Sequence, residues 1–166
     1  MKFKYRLPIC VLVGALFMNG NLVLASSDIT CPKLNVEIRQ EQAKGKVIMV
    51  YINQSEASIE IPKWYLGDPE SGKIEHDMLY VKNRNGKRMS YFGDLVKRGE
   101  PRNEDLIELK AHETISSAVD IATSYAKSSG IYYVSYDAYA QFYLLGNNNK
   151  IGCFQKLTSQ EVKVSI

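Results

Sequence analysis

The sequence predicts an all-β protein, an antiparallel β-sandwich preceded by a signal peptide that is cleaved off. Three observations predict it. Short segments place apolar residues at every second position, the period of a strand with one buried face. Turn residues separate these segments, and no long helical period occurs. The third observation is the stretch from Thr114 to Tyr136, which reads as strand, corner, strand. Ile115, Ser117, Val119 and Ile121 alternate, and Ala122 to Ser129 lose the alternation. Gly130 breaks the chain, and Ile131, Tyr132, Tyr133, Val134 and Tyr136 form a β-branched and aromatic run. Tyr125 has two readings. It is either a corner tyrosine whose hydroxyl bonds back to the backbone, or a surface residue on one helical turn.

The first residues form a leader. Lys2, Lys4 and Arg6 precede an apolar run from Ile9 to Met18, and Val23-Leu24-Ala25 is a small-residue cleavage signal before Ser26-Ser27. Asn19, Gly20 and Asn21 interrupt the run, which falls short of the ~20 residues a membrane span needs. Cys10 follows Leu7-Pro8-Ile9, without the small residue that precedes a lipidated cysteine. Residues 1–25 are therefore expected to be removed, leaving one domain over 26–166 that is exported to the periplasm or secreted. Removal takes three basic residues and no acidic one from a chain of 21 basic and 18 acidic residues, so the remainder is neutral. That gives no electrostatic case for nucleic-acid binding.

Cys31 and Cys153 are the cysteines left after the leader. In an exported chain such a pair is expected to form a disulfide. Two cysteines and two distant histidines do not make a metal site.

The elements then follow in order. Leu34, Val36 and Ile38 alternate with polar residues in a half-buried strand, and Glu41 to Gly45 is a polar turn. Val47 to Ile52 is apolar on both sides, as suits a central strand. After a turn at Asn53 to Glu56, Ala57, Ile59 and Ile61 alternate again. Pro62 to Pro69 reads as a loop that cannot continue a ladder. Met78–Lys82 and Lys87–Tyr91 flank Asn85-Gly86, a strong hairpin signal. Lys97 to Asp105 is a charged loop, Leu106 to Leu109 a short strand, and Ala111-His112-Glu113 a turn. Tyr139 to Leu145, Ile151 to Leu157 and Glu161 to Ile166 are the remaining strand-like segments.

Residues 61–136 resemble a known family in order and spacing. They include Ile61-Pro62-Lys63-Trp64, Tyr80 to Lys87, Tyr91-Phe92-Gly93 with Val96-Lys97-Arg98, Leu109 to Thr114, Val119-Asp120-Ile121, Tyr125 and Gly130-Ile131-Tyr132. The segment is similar to the immunoglobulin-like module that lies N-terminal to deuterolysin-type (aspzincin, lysine-specific) zinc metallopeptidases. The loop with Tyr91, Gly93, Lys97 and Arg98 is the most specific part of the match. The resemblance implies an immunoglobulin-like fold and association with proteolysis. His112 stands where the family usually has glycine, which argues against a left-handed backbone there. The resemblance does not extend to peptidase activity. His112-Glu113 is followed by Ser116 where a His-Glu-x-x-His helix needs its second histidine, and His76 has no partner either.

No other motif supplies chemistry. There is no Gly-x-Ser-x-Gly elbow, Gly-x-Gly-x-x-Gly or phosphate loop, so no catalytic residue, cofactor or metal is expected. His112-Glu113 reads as a solvated turn pair, and Asn53-Gln54-Ser55 matches a glycosylation acceptor that arises often by chance. Lys97-Arg98, beside Asp94 and Glu100, reads as a solvated loop or a structural ion pair. Trp64-Tyr65-Leu66 reads as a cap on one end of the core. The segment 139–145 divides into a core face of Ala140, Phe142 and Leu144 and a half-exposed face of Tyr139, Gln141, Tyr143 and Leu145, which a partner could cover. The expected function is that of an exported, non-catalytic module that binds a secreted protease or an envelope protein. A structural or adhesive envelope domain is the alternative, with an enzyme of unfamiliar site behind it.

Overall fold

The computed structural model describes residues 30–145 and 150–166; the leader lies outside them. Among the described residues the chain forms nine strands: β1 (Leu34–Gln40), β2 (Lys46–Asn53), β3 (Ile59–Pro62), β4 (Leu79–Asn83), β5 (Leu106–Leu109), β6 (Thr114–Asp120), β7 (Ile131–Leu145), β8 (Lys150–Thr158) and β9 (Val162–Ser165). Short 3-10 turns occur at Lys63–Tyr65, Asn103–Asp105 and Ile121–Thr123. The protein is all-β, and every strand pairing is antiparallel.

Two sheets result. β1, β2 and β6 form the first, with β2 in the middle. The second runs β4-β7-β3-β5, with β8 and β9 also paired along β7. β7 organises this sheet: its first part pairs with β4 and β9, and its second part with β8 and β3. The sequence divided this strand in two. No breaker separates the halves, and the even positions Tyr132, Val134, Tyr136, Ala140 and Phe142 are buried along its length. These residues share one cluster with Val36 of β1, Val47, Met49 and Tyr51 of β2, and Val119 of β6. The buried faces of both sheets therefore make one core.

Several contacts cross-link the sheets, among them an aromatic pair and a disulfide. Tyr51 and Tyr136 meet edge to face with ring centroids 5.9 Å apart. The Tyr51 hydroxyl donates to the Tyr65 carbonyl at 2.9 Å, and it lies 3.4 Å from the Tyr136 hydroxyl. Burial holds both phenols well above their ordinary range, so they remain neutral. The second cross-link is the Cys31–Cys153 disulfide, with Cα atoms 5.7 Å apart. It ties the residues before β1 to β8, as expected from the cysteine count.

Three local expectations are corrected. The second arm of the Asn85-Gly86 hairpin is no full strand: it makes one bridge, Lys82 to Arg88, and a last bond from Met89 N–H to Val81 O. Beyond that, Phe92 N–H bonds to Ser124 O and draws the chain off the ladder. The β3–β5 ladder runs on through Pro62, opposite Leu106, before the loop starts. Pro is tolerated there because its nitrogen faces the β7 side, where the β3–β7 ladder has already stopped at Glu60. His112 does adopt a left-handed backbone, with φ of 60°. The turn is held by Glu113 N–H to Lys110 O (3.1 Å) and Lys110 N–H to the Glu113 carboxylate (2.8 Å). Those bonds offset the steric cost of a side chain at positive φ.

Candidate functional site

The stretch that most resembles a family motif, Tyr91 to Arg98, is a loop built on the corner that follows β6. Asp120 accepts from Ala122 N–H and caps the 3-10 turn. The chain then delivers Tyr125 into the core, where it is 1% exposed. The Tyr125 hydroxyl donates to Asp77 Oδ1 at 2.9 Å and accepts from Leu79 N–H at 3.0 Å. Of the two sequence readings, the bonded corner tyrosine is the one observed, although it pins a distant strand, β4. Burial, with the Asp77 carboxylate adding to it, raises this phenol far above its usual range. Tyr125→Phe would leave Leu79 N–H unpaired, and it should lower the free energy of unfolding by about 1–3 kcal/mol in urea titrations.

Tyr91 packs edge to face on Tyr125, with centroids 5.2 Å apart. Its hydroxyl lies 2.7 Å from Ile74 O and 2.8 Å from Asp94 O, and burial pushes its pKa up to about 12. Gly93 is required by this arrangement. A Cβ there would fall 2.6 Å from the Tyr91 hydroxyl and 2.9 Å from Ser124 Oγ. At the far end of the loop Arg98 pairs with Glu75, and its guanidinium lies over the Trp64 ring, 5.0 Å from the centroid. Lys97 is exposed beside it. The Lys127 ammonium sits 4.4 Å from the Phe92 ring centroid.

The loop is thus pinned at both ends, and between the pins it exposes apolar side chains. Leu95 is 75% exposed, Phe92 40% and Val96 38%. The sequence quoted Phe92 and Val96 within the motif of Tyr91, Gly93, Lys97 and Arg98 but did not single out Leu95, nor the exposure of the three. The Trp64–Arg98–Glu75 contact also escaped it, because it joins three loops that share no periodicity.

Beneath Trp64 and Arg98 lies a cavity of about 620 Å³. Ser116 to Ala118 of β6, in the first sheet, and Ile107 of β5, in the second, also line it, as do Leu66 and Gly67. Trp64 therefore lines a cavity, where the sequence had it as a cap on the end of the core.

The face proposed from alternation in 139–145 is mixed. Tyr139 is 57% exposed and stacks flat on Phe154, 5.1 Å between centroids. Phe154 is itself 70% exposed; alternation around the buried Cys153 and Leu157 would have placed it outward. Gln141 donates to the Tyr143 hydroxyl at 2.8 Å, and that hydroxyl reaches Glu100 at 3.3 Å. Tyr143 is buried by these neighbours, while Leu145 is half-buried at the strand's end. The structure therefore splits this set: Tyr139 is open to solvent with Phe154, and Tyr143 is tied inward.

His112 Nε2 lies 3.1 Å from Glu56 Oε2, on the surface and away from the cavity. Among the described residues no group of three or more His, Cys, Asp or Glu side chains is placed to hold a metal ion. No helix among them is long and apolar enough to cross a membrane. Neither a scan against protein-family models nor a search of curated proteins finds a match to this chain.

Proposed function

We propose that the chain is an exported, non-catalytic, immunoglobulin-like domain that binds a protein. In this reading it is a stand-alone relative of the accessory modules of deuterolysin-type metallopeptidases, and its partner is a secreted protease or another envelope protein. The observation that carries the reading is the loop Tyr91 to Arg98. Exposed apolar side chains on a loop with free ends would collapse or invite aggregation. Here Tyr91, Gly93 and Arg98 fix the loop, so Phe92, Leu95 and Val96 stand preorganised at little further cost in entropy on binding. Such side chains are the kind that anchor interfaces. The antiparallel sheets with a shared core and a joining disulfide are compatible with the immunoglobulin-like sandwich that the resemblance implies.

The test is affinity capture from secreted and envelope fractions with the unaltered chain and with Phe92→Ser/Leu95→Ser. The double variant should keep its melting temperature, because both side chains are exposed. It should bind its partner more weakly by about 2 kcal/mol or more. Equal retention by both chains would remove the loop as the docking surface.

A further inference from the structure

We propose that the pinned loop enters the active-site cleft of a serine protease as a substrate-like inhibitor, with the Lys97 side chain in a specificity pocket that ends in a carboxylate. This inference rests on the protein-binding reading and names the class of partner. The path of the chain carries it. Residues Asp94 to Glu100 are all exposed, and from Asp94 to Gly99 the chain makes no turn, bend or strand pairing. Among the described residues no hydrogen bond reaches the backbone of Lys97, Arg98 or Gly99. An enzyme that takes a peptide as an added strand needs such free N–H and C=O groups. Exposed loops of this kind are where folded chains are cut.

The two basic residues are not equivalent. Arg98 is committed to Glu75 and to the Trp64 ring. Lys97 is exposed, and its side chain makes no hydrogen bond, ion pair or ring contact among the described residues. It can therefore reach into a pocket, and a carboxylate at the pocket's base is how trypsin-type enzymes select a basic residue before the bond they cut. Leu95 and Val96, both exposed, precede it as apolar contacts. Other exposed lysines lack this setting: Lys87 and Lys110 lie in turns closed by backbone bonds, and Lys163 lies in β9.

The bond from Lys97 to Arg98 lies between anchors. Before it, Asp94 O is held by the Tyr91 hydroxyl at 2.8 Å and Val96 N–H by Glu75 O at 3.5 Å. After it, Arg98 is held by Glu75, and Glu100 accepts from the Tyr143 hydroxyl at 3.3 Å. Attack by the enzyme's serine hydroxyl on the Lys97 carbonyl forms an ester and breaks the bond to Arg98. The serine's proton passes through the enzyme's histidine to the Arg98 nitrogen. The anchors keep that amine beside the ester, so it re-forms the peptide bond and releases the serine faster than water hydrolyses the ester. The loop is thus held in the cleft rather than consumed.

The probe is trypsin, assayed on a small chromogenic lysine substrate. The disulfide-bonded chain should inhibit it competitively. Acid-quenched mixtures should hold the chain intact, or cut once between Lys97 and Arg98 and heavier by one water. Lys97→Ala should weaken inhibition about thirtyfold or more, and Lys97→Arg should keep it. Lys97→Phe should move inhibition from trypsin to chymotrypsin, whose pocket is an apolar slot, a change that misfolding cannot produce. Absence of inhibition overturns the inference. So do rapid cutting of the loop without inhibition, which makes it an ordinary substrate, and equal inhibition by Lys97→Ala. Partner capture that Phe92→Ser/Leu95→Ser weakens, with trypsin unaffected by the unaltered chain, sinks this inference and leaves the loop as a docking surface for another protein.

Discussion

Replacing Asn53 by alanine should lower the free energy of unfolding by about 3 kcal/mol or more, because it would orphan several buried partners at once. Asn53 ends β2 and is fully buried. Its side-chain nitrogen lies 2.8 Å from Ala57 O, 2.9 Å from Lys110 O and 3.1 Å from Leu109 O. Its side-chain oxygen accepts from Ser55 N–H at 3.1 Å and from the Ser55 hydroxyl at 2.6 Å. One amide thus joins the central strand of the first sheet to the end of β5 in the second. Asn53→Asp is expected to be as harmful, since it would set a carboxylate against carbonyl oxygens. Urea titration of both variants checks this, and a loss under about 0.5 kcal/mol, the range of ordinary surface changes, would contradict it. The same geometry bears on Asn53-Gln54-Ser55 as a glycosylation acceptor: in the folded chain the nitrogen that would carry a glycan is buried and bonded, so the tripeptide serves structure.

Removing the disulfide as Cys31→Ser/Cys153→Ser should cost about 2–5 kcal/mol. The bridge closes a sequence separation of 122 residues and joins the approach to β1 with β8, which lie in different sheets. Cys153 is 2% exposed, so in the native protein reductants should act slowly, and faster as urea opens the chain. Unfolding curves of the oxidised chain and the double variant provide the measurement. Coincident midpoints would mean that the core alone holds the two sheets together.

Much of the fold is legible in the sequence where a strand has one buried face. Leu34, Val36 and Ile38 are buried as alternation requires, and β5 spans Leu106–Leu109 as read from sequence. The same rule misplaces an end when tertiary bonds compete with the ladder. The arm after Gly86 has strand-like residues, yet Ser124 O captures Phe92 N–H and leads the chain into the loop. It also misses continuity: Asp137 and Ala138 look like an interruption, but they preserve the period of β7. His112 shows the limit of arguing from residue type, since local bonds hold a backbone that a side chain disfavours.

The site is less legible than the fold. Periodicity says which way Tyr143 points along β7. It cannot say that Glu100 and Gln141 will close over it. The motif residues Tyr91, Gly93 and Arg98 are visible in sequence, but their work is to hold the loop, and no period in the sequence says that Phe92, Leu95 and Val96 between them stay exposed. Trp64, Glu75 and Arg98 come together from three stretches well apart in the sequence, so no local pattern announces their contact.

In the proposed function, a partner protein docks on the pinned loop. Site-specific photocrosslinking checks this, with a photoreactive amino acid in place of Leu95 in the chain expressed by its own host. A discrete adduct of higher mass is expected from Leu95, lost when Phe92 is also replaced by serine, and none from an equivalent probe at Glu108, an exposed position of β5. Adducts from Glu108 but not from Leu95, or equal labelling at both, would contradict it.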